Sequence, residues 1–224
     1  MQAKIEGGPS FAHIHVDLSP GETIIAESDA MSSMAADLDL NARLNGGFLS
    51  ALAKKFLGGE SLFINEFTAR GGPGEIKIAP GAPGDLEHVH LDGDVIYLQS
   101  SAFVAGTPDV AVESKWQGMM KGFFSGESLF LIRCSGRGDL WFNTYGAMLE
   151  VDVAGNYVVD TGFVVAFTEG LQYDVGRVGG YKSLFFSGEG LVCRFRGQGK
   201  VWIQTRQVPA FAWWTLPFRR VKKG

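Results

Sequence analysis

Short runs of alternating apolar and polar side chains recur along this chain, each entered through a glycine or proline turn. Phe-Ala-His-Ile-His-Val-Asp-Leu at 11–18 has the period of two that a strand with one buried face requires. Ser19-Pro20-Gly21-Glu22 then predicts a turn, and residues 23–26 a second strand. The same succession returns at 92–98 and, in weaker form, at 161–167. Gly21, Gly93 and Gly162 are therefore 72 and 69 residues apart. Residues 74–78, 138–142 and 199–203 share another design: a glycine, one charged residue, then alternating large side chains. Those glycines are spaced by 64 and 61. Each predicts a strand leaving a tight hairpin, with its partner strand just upstream, at 129–133 and 191–195 for the last two.

A third landmark keeps the same period. Phe-Leu-Gly-Gly-Glu-Ser-Leu-Phe (56–63), Phe-Phe-Ser-Gly-Glu-Ser-Leu-Phe (123–130) and Phe-Phe-Ser-Gly-Glu-Gly-Leu-Val (185–192) carry Gly-Glu steps at Gly59-Glu60, Gly126-Glu127 and Gly188-Glu189, 67 and 62 residues apart. Only 48–57 departs from strand character, with apolar residues at helical spacing that predict a short helix. The chain is expected to be all-β with one or few short helices. Its three internal repeats, 1–88, 89–158 and 159–224, are expected to pack into one body around a pseudo-threefold axis. A unit of that size buries little apolar surface alone, and no Gly/Ser tether separates the units.

Composition narrows the functional classes. Hydrophobic residues make up 46% and charged residues 20%, too apolar for a disordered chain. The 31 glycines fit many tight turns between short strands. A net charge of −4 supplies no field for nucleic acid, and no repeat carries a Lys/Arg stripe. Two cysteines, Cys134 and Cys193, form no CxxC and no disulfide framework, and both are expected as buried small hydrophobes. The N-terminus lacks a signal-peptide core and no apolar run reaches the ~20 residues of a membrane span, so a cytoplasmic location is expected. Nucleophile elbow, P-loop and dinucleotide fingerprints are missing, and no cofactor is implied.

The triple Gly-Glu motif, the stretches 58–69 and 125–131, and Val-Trp-Ile-Gln-Thr-Arg at 201–206 resemble the altered-inheritance-of-mitochondria (mitochondrial biogenesis) family over about residues 5–206. Its bacterial and archaeal branch is of unknown function. The resemblance implies three units like the tryptophan RNA-binding attenuator protein, each a short double-stranded β-helix. It brings no established catalytic residues. Attenuator-type folds raise RNA binding only by analogy, since fold alone does not carry function.

Three constellations could carry chemistry. All four histidines fall in His13-Ile14-His15 and His88-Val89-His90, each followed two residues on by an aspartate, Asp17 or Asp92. On a strand, residues i and i+2 face one way, so each pair could offer two imidazoles to one metal, as cupin-type proteins do. Neither a glutamate at cupin spacing nor a distant histidine completes the set, and solvent-facing strand residues are the plainer reading. Glu60, Glu127 and Glu189 could converge on the axis and bind a cation. Each could instead accept backbone N–H bonds in its glycine turn beside Gly59, Gly126 or Gly188, and this structural role is the preferred one. At the C-terminus, Trp213, Trp214 and Phe218 precede Arg219 and Arg220, which suits a membrane interface or an aromatic contact between subunits. The sequence thus points to a non-enzymatic interaction or scaffold protein that forms homo-oligomers. A cupin-like metal or small-ligand binder and a peripheral membrane module stand as alternatives.

Overall fold

The computed structural model describes residues 1–44, 63–115, 131–177 and 191–219. Within them the chain is mostly strand. β1 (Gln2–Glu6), β2 (His13–Leu18), β7 (Gly74–Ile78) and β4 (Met31–Met34) form a four-stranded sheet in the order β1-β2-β7-β4. Eleven strands form a second sheet: β3 (Thr23–Glu27), β5 (Leu38–Leu44), β6 (Phe63–Ala69), β8 (Leu86–Gln99), β9 (Phe103–Gly106), β10 (Val110–Lys115), β11 (Leu131–Asn143), β12 (Met148–Asp160), β13 (Val164–Thr168), β14 (Leu171–Arg177) and β15 (Leu191–Gln204). Its path runs β12-β15-β13-β8-β11-β9-β3-β6-β5, with β10 beside β11 and β14 beside β15. One helix, α1 (Val208–Thr215), follows the last strand.

Alternation decides which side chains enter the core. In β2, Ile14, Val16 and Leu18 are buried while His13, His15 and Asp17 face outward. β7 answers with Ile76 and Ile78 inward and Glu75 and Lys77 outward. β8 begins with the same alternation and then buries Val95, Ile96, Tyr97 and Leu98 in succession. There the strand lies between β11 and β13 and is covered on both faces. Each such Ile, Leu or Val contributes roughly 1.5–3 kcal/mol when fully buried. Three apolar clusters result, and each borrows from its neighbour. Trp141 joins Ile14, Phe67 and Ile76; Ile25 and Ile64 join Phe103 and Phe142; Val95, Tyr97 and Leu131 join Phe167 and Phe195.

The turn at 19–22 and the strands on either side of it match the sequence expectation, as does the strand after Thr161–Phe163. The hairpins do not. Residues 131–143 and 191–204 are single continuous strands, and their glycines bend the chain instead of reversing it. The partners lie farther upstream: β8 pairs β11, and β12 pairs β15 over its whole length. In the first third the equivalent point divides two sheets, with β6 in one and β7 in the other. Gly136 shows why glycine is needed without a hairpin. Its φ is +123°, and a Cβ there would stand 2.2 Å from the Asp109 carbonyl oxygen, where the β9–β10 turn crosses β11. The short helix expected at 48–57 lies outside the described residues.

Candidate functional site

Three outward-facing polar sets are built by strand pairing. In the first, β2 lies against β7 with Asp17 opposite Glu75 and His15 opposite Lys77. His15 Nε2 stands 3.2 Å from Glu75 Oε2 and 3.8 Å from Asp17 Oδ1. These three residues can each offer a donor atom with all such atoms within 4.8 Å of one another. The second set is on β8 and β11, where His90 is opposite Asp139 and His88 opposite Trp141. His88 Nε2 and His90 Nδ1 each lie 2.9 Å from the same oxygen, Asp139 Oδ1. The His88 ring stacks on Trp141 at 4.8 Å between centroids, which fixes its plane. The third set is on β12 and β15: Lys200 Nζ donates to the Glu150 carboxylate and lies 5.7 Å from the centre of the Trp202 ring.

The electrostatics follow from these contacts. Burial alone would raise the Asp139 pKa, but hydrogen bonds from His90 and His88 outweigh it and hold the carboxyl below its usual value. An ionised carboxylate only accepts, so both imidazole nitrogens present N–H to it. Burial raises the Glu87 carboxyl, partly offset by the backbone N–H of His88. The hydrogen bond to Glu150 raises the Lys200 ammonium, keeping it charged. The second and third sets border one open groove of about 820 Å3, with Glu87 and Trp202 also in its wall. Trp202 is buried, and its Nε1 finds no acceptor among the described residues. Nucleophilic chemistry has no support in the thiols. Cys134 and Cys193 are buried, and burial pushes each up to about 12.

The histidine pairs therefore do not act as two matched units. His88 and His90 converge on one carboxylate, whereas His13 turns to Glu6, 3.5 Å away, and leaves His15 to Asp17 and Glu75. Asp92, which follows the second pair, bonds to Arg137 at 3.1 Å instead. Sequence reading missed Glu75 and Asp139, although both were visible as the charged residue after Gly74 and Gly138. Trp213, Trp214 and Phe218 lie on α1 or in the turn after it and are 73%, 65% and 75% exposed. The aromatics pack on one another: Phe211 stacks on Trp214, and the Trp214 ring lies tilted against Phe218. Arg219 follows them, while Arg220 lies outside the described residues, as do Gly59, Glu60, Gly126, Glu127, Gly188 and Glu189. No helix among the described residues is long and apolar enough to cross a membrane.

Comparison with known proteins places these features in context. An uncharacterized protein of Streptococcus pyogenes serotype M6 is 27% identical over 220 residues, covering 95% of this chain and 88% of its own. A crystal structure of a Streptococcus pyogenes protein superposes with a TM-score of 0.81 at 26% identity, covering 97% of this chain and 99% of that one. Residues 3–206 match the family described as mitochondrial biogenesis AIM24, which is most of the chain. With strands of the same family spanning all three polar sets, the chain belongs to the mitochondrial biogenesis AIM24 family.

Proposed function

We propose that this chain is a non-enzymatic cytoplasmic interaction module that self-associates through the open edge of β12. The observation that carries the reading is β12 itself. It runs for 13 residues, ends the path of the eleven-stranded sheet, and pairs only with β15 among the described residues. Leu149, Tyr157 and Val158 are exposed along it. Long apolar edges of this kind pair with other chains unless something blocks them. Charge selects the register. In an antiparallel pair of β12 strands centred on Ala154, Glu150 faces Val158, Asp152 faces Asn156 and Asp160 faces Met148. No two carboxylates are opposed, and the contact is the isologous one of a two-fold dimer. Light scattering of the wild type and of Leu149→Lys/Val158→Lys tests this. A dimer that dissociates in the variant supports the edge; a monomeric wild type contradicts it.

The same reading takes the body as three repeats, each a short attenuator-like double-stranded β-helix about a pseudo-threefold axis. Recurring contacts support it. Thr107 Oγ1 accepts from the Asp139 amide and Thr168 Oγ1 from the Lys200 amide, both at 3.0 Å. Because β8 starts at Leu86 and β12 at Met148, units opening near these residues keep each strand whole, a few residues upstream of 89 and well upstream of 159. No cofactor is needed, and the net charge of −4 gives nucleic acid no foothold.

A second reading, attachment to a membrane surface, is favoured by α1. None of its residues is buried, and Arg219 follows its exposed aromatics. Flotation with anionic vesicles at low salt tests it: recovery with the vesicles supports attachment, and recovery at the bottom of the gradient rules it out.

A further inference from the structure

We propose that the groove bordered by Glu87, Asp94, Glu150 and Glu169 receives the basic segment 219–223 of a second copy of this chain. Charge is the first observation. Four carboxylates line this groove against one ammonium, that of Lys200. Lys200 donates to Glu150 and also feels the charges of Asp152 and Glu87. His88 and His90 turn their N–H groups to Asp139. Asp94 and Glu169 pair with no cation among the described residues. Burial raises the Glu87 carboxyl, and the neighbouring Glu150 charge raises it further. Trp202 adds a requirement of a different kind. It is only 4% exposed, stands in the groove wall, and its Nε1 finds no acceptor among the described residues. A buried N–H left unpaired is costly. A simple cation would answer the carboxylates and leave this donor orphaned. A basic peptide answers both, with cationic side chains and backbone carbonyls.

The chain carries such a peptide. Residues 219–223 read Arg-Arg-Val-Lys-Lys, and no acidic residue follows Glu189. Arg219 is exposed and pairs with none of the groove carboxylates of its own chain. Strand β12 brings a second copy to the groove. Glu150 stands on β12, so one wall borders the open edge. In the antiparallel pair centred on Ala154, the second copy's Asp160 faces Met148, about 7 Å along the strand from Glu150. Asp160 accepts from Gln207 Nε2 at 2.9 Å, and Gln207 directly precedes α1. The second copy's α1 thus starts beside this wall, and its eight residues span about 12 Å, which leaves 219–223 within reach of the groove. This deepens the self-association reading and rests on it for the second copy alone.

The probe is a fluorescein-labelled peptide of residues 218–224. It is titrated into the full chain carrying Arg220→Glu/Lys222→Glu/Lys223→Glu, whose own segment cannot compete. Anisotropy should show binding that weakens steeply as salt rises. Asp94→Asn/Glu169→Gln in that chain should weaken it about tenfold or more. Asp17→Asn/Glu75→Gln, on the other sheet, should leave it unchanged. Trp202→Phe should weaken it about two- to ten-fold, the worth of one neutral hydrogen bond, without altering the salt dependence. Circular dichroism confirms that each variant is folded. Carbodiimide cross-linking of mixed light and heavy isotope-labelled wild type then identifies the donor chain. Links from Lys222 or Lys223 to Asp94 or Glu169 should join one light and one heavy copy. No binding at low salt, or binding indifferent to Asp94→Asn/Glu169→Gln, overturns the groove. Links confined to single copies overturn the exchange between chains. A peptide that floats with anionic vesicles and ignores the groove assigns the segment to a lipid surface and overturns both. A monomeric wild type whose groove still binds the peptide supports the groove and contradicts only the β12 edge.

Discussion

Phe167→Ala removes the ring at the centre of the third apolar cluster. Phe167 is fully buried on β13, and Tyr97, Phe195 and Tyr173 surround it at centroid distances of 5.2, 5.1 and 4.9 Å. It is also opposite Tyr97 where β13 meets β8, so backbone pairing and ring packing coincide there. Truncating a buried Phe to Ala costs about 3–5 kcal/mol in transfer and cavity terms. The three lost aromatic contacts favour the upper half of that range, because such pairs add about 0.5–1.5 kcal/mol each beyond area. For a chain of 224 residues a loss near 4 kcal/mol lowers the melting temperature by about 8–16 °C. Urea unfolding followed by tryptophan fluorescence and far-ultraviolet circular dichroism measures it. A single transition shifted by this amount is expected, because the clusters share strands. A loss below about 1 kcal/mol would refute the placement of Phe167 at the centre of that cluster.

Other consequences are independent of that ring. Gly136→Ala should cost about 1–3 kcal/mol in urea, since alanine would occupy a positive φ with its Cβ against the Asp109 carbonyl. Both thiols should resist a thiol-reactive chromophore at pH 8 in the folded protein and react together only on unfolding, because burial holds each at about 12. Glu22 has its carboxyl lowered by the Met1 ammonium, with the Ser19 amide adding to the effect. Its stabilising contribution is present above its ordinary value of 4.5 and is lost as pH falls through the lowered folded value. The wild type should therefore exceed Glu22→Gln in denaturant midpoint at neutral pH, and the difference should close in acid.

Much of the architecture was legible because strand alternation is local. The pattern at 11–18 predicts which of Ile14, Val16 and Leu18 go inward without knowledge of any partner. Glycines were harder, since Gly-x-Gly is as compatible with a bend inside one long strand as with a reversal. The choice is made by pairing with β8 and β12, both far upstream. The site was half legible for the same reason. The histidines announce themselves by spacing, but Asp139 and Glu75 reach them only through cross-strand register, which no single segment contains. α1 went unread because its residues are apolar all round, with no polar face to set a helical period.

Amide hydrogen exchange across a range of protein concentrations tests the central claim most directly. If β12 pairs with its own copy, outward amides between Leu149 and Val159 gain protection as concentration rises, while those of β1 and β4, at the edges of the other sheet, do not change. Concentration-dependent association that leaves the β12 amides exchanging at an unchanged rate would contradict it.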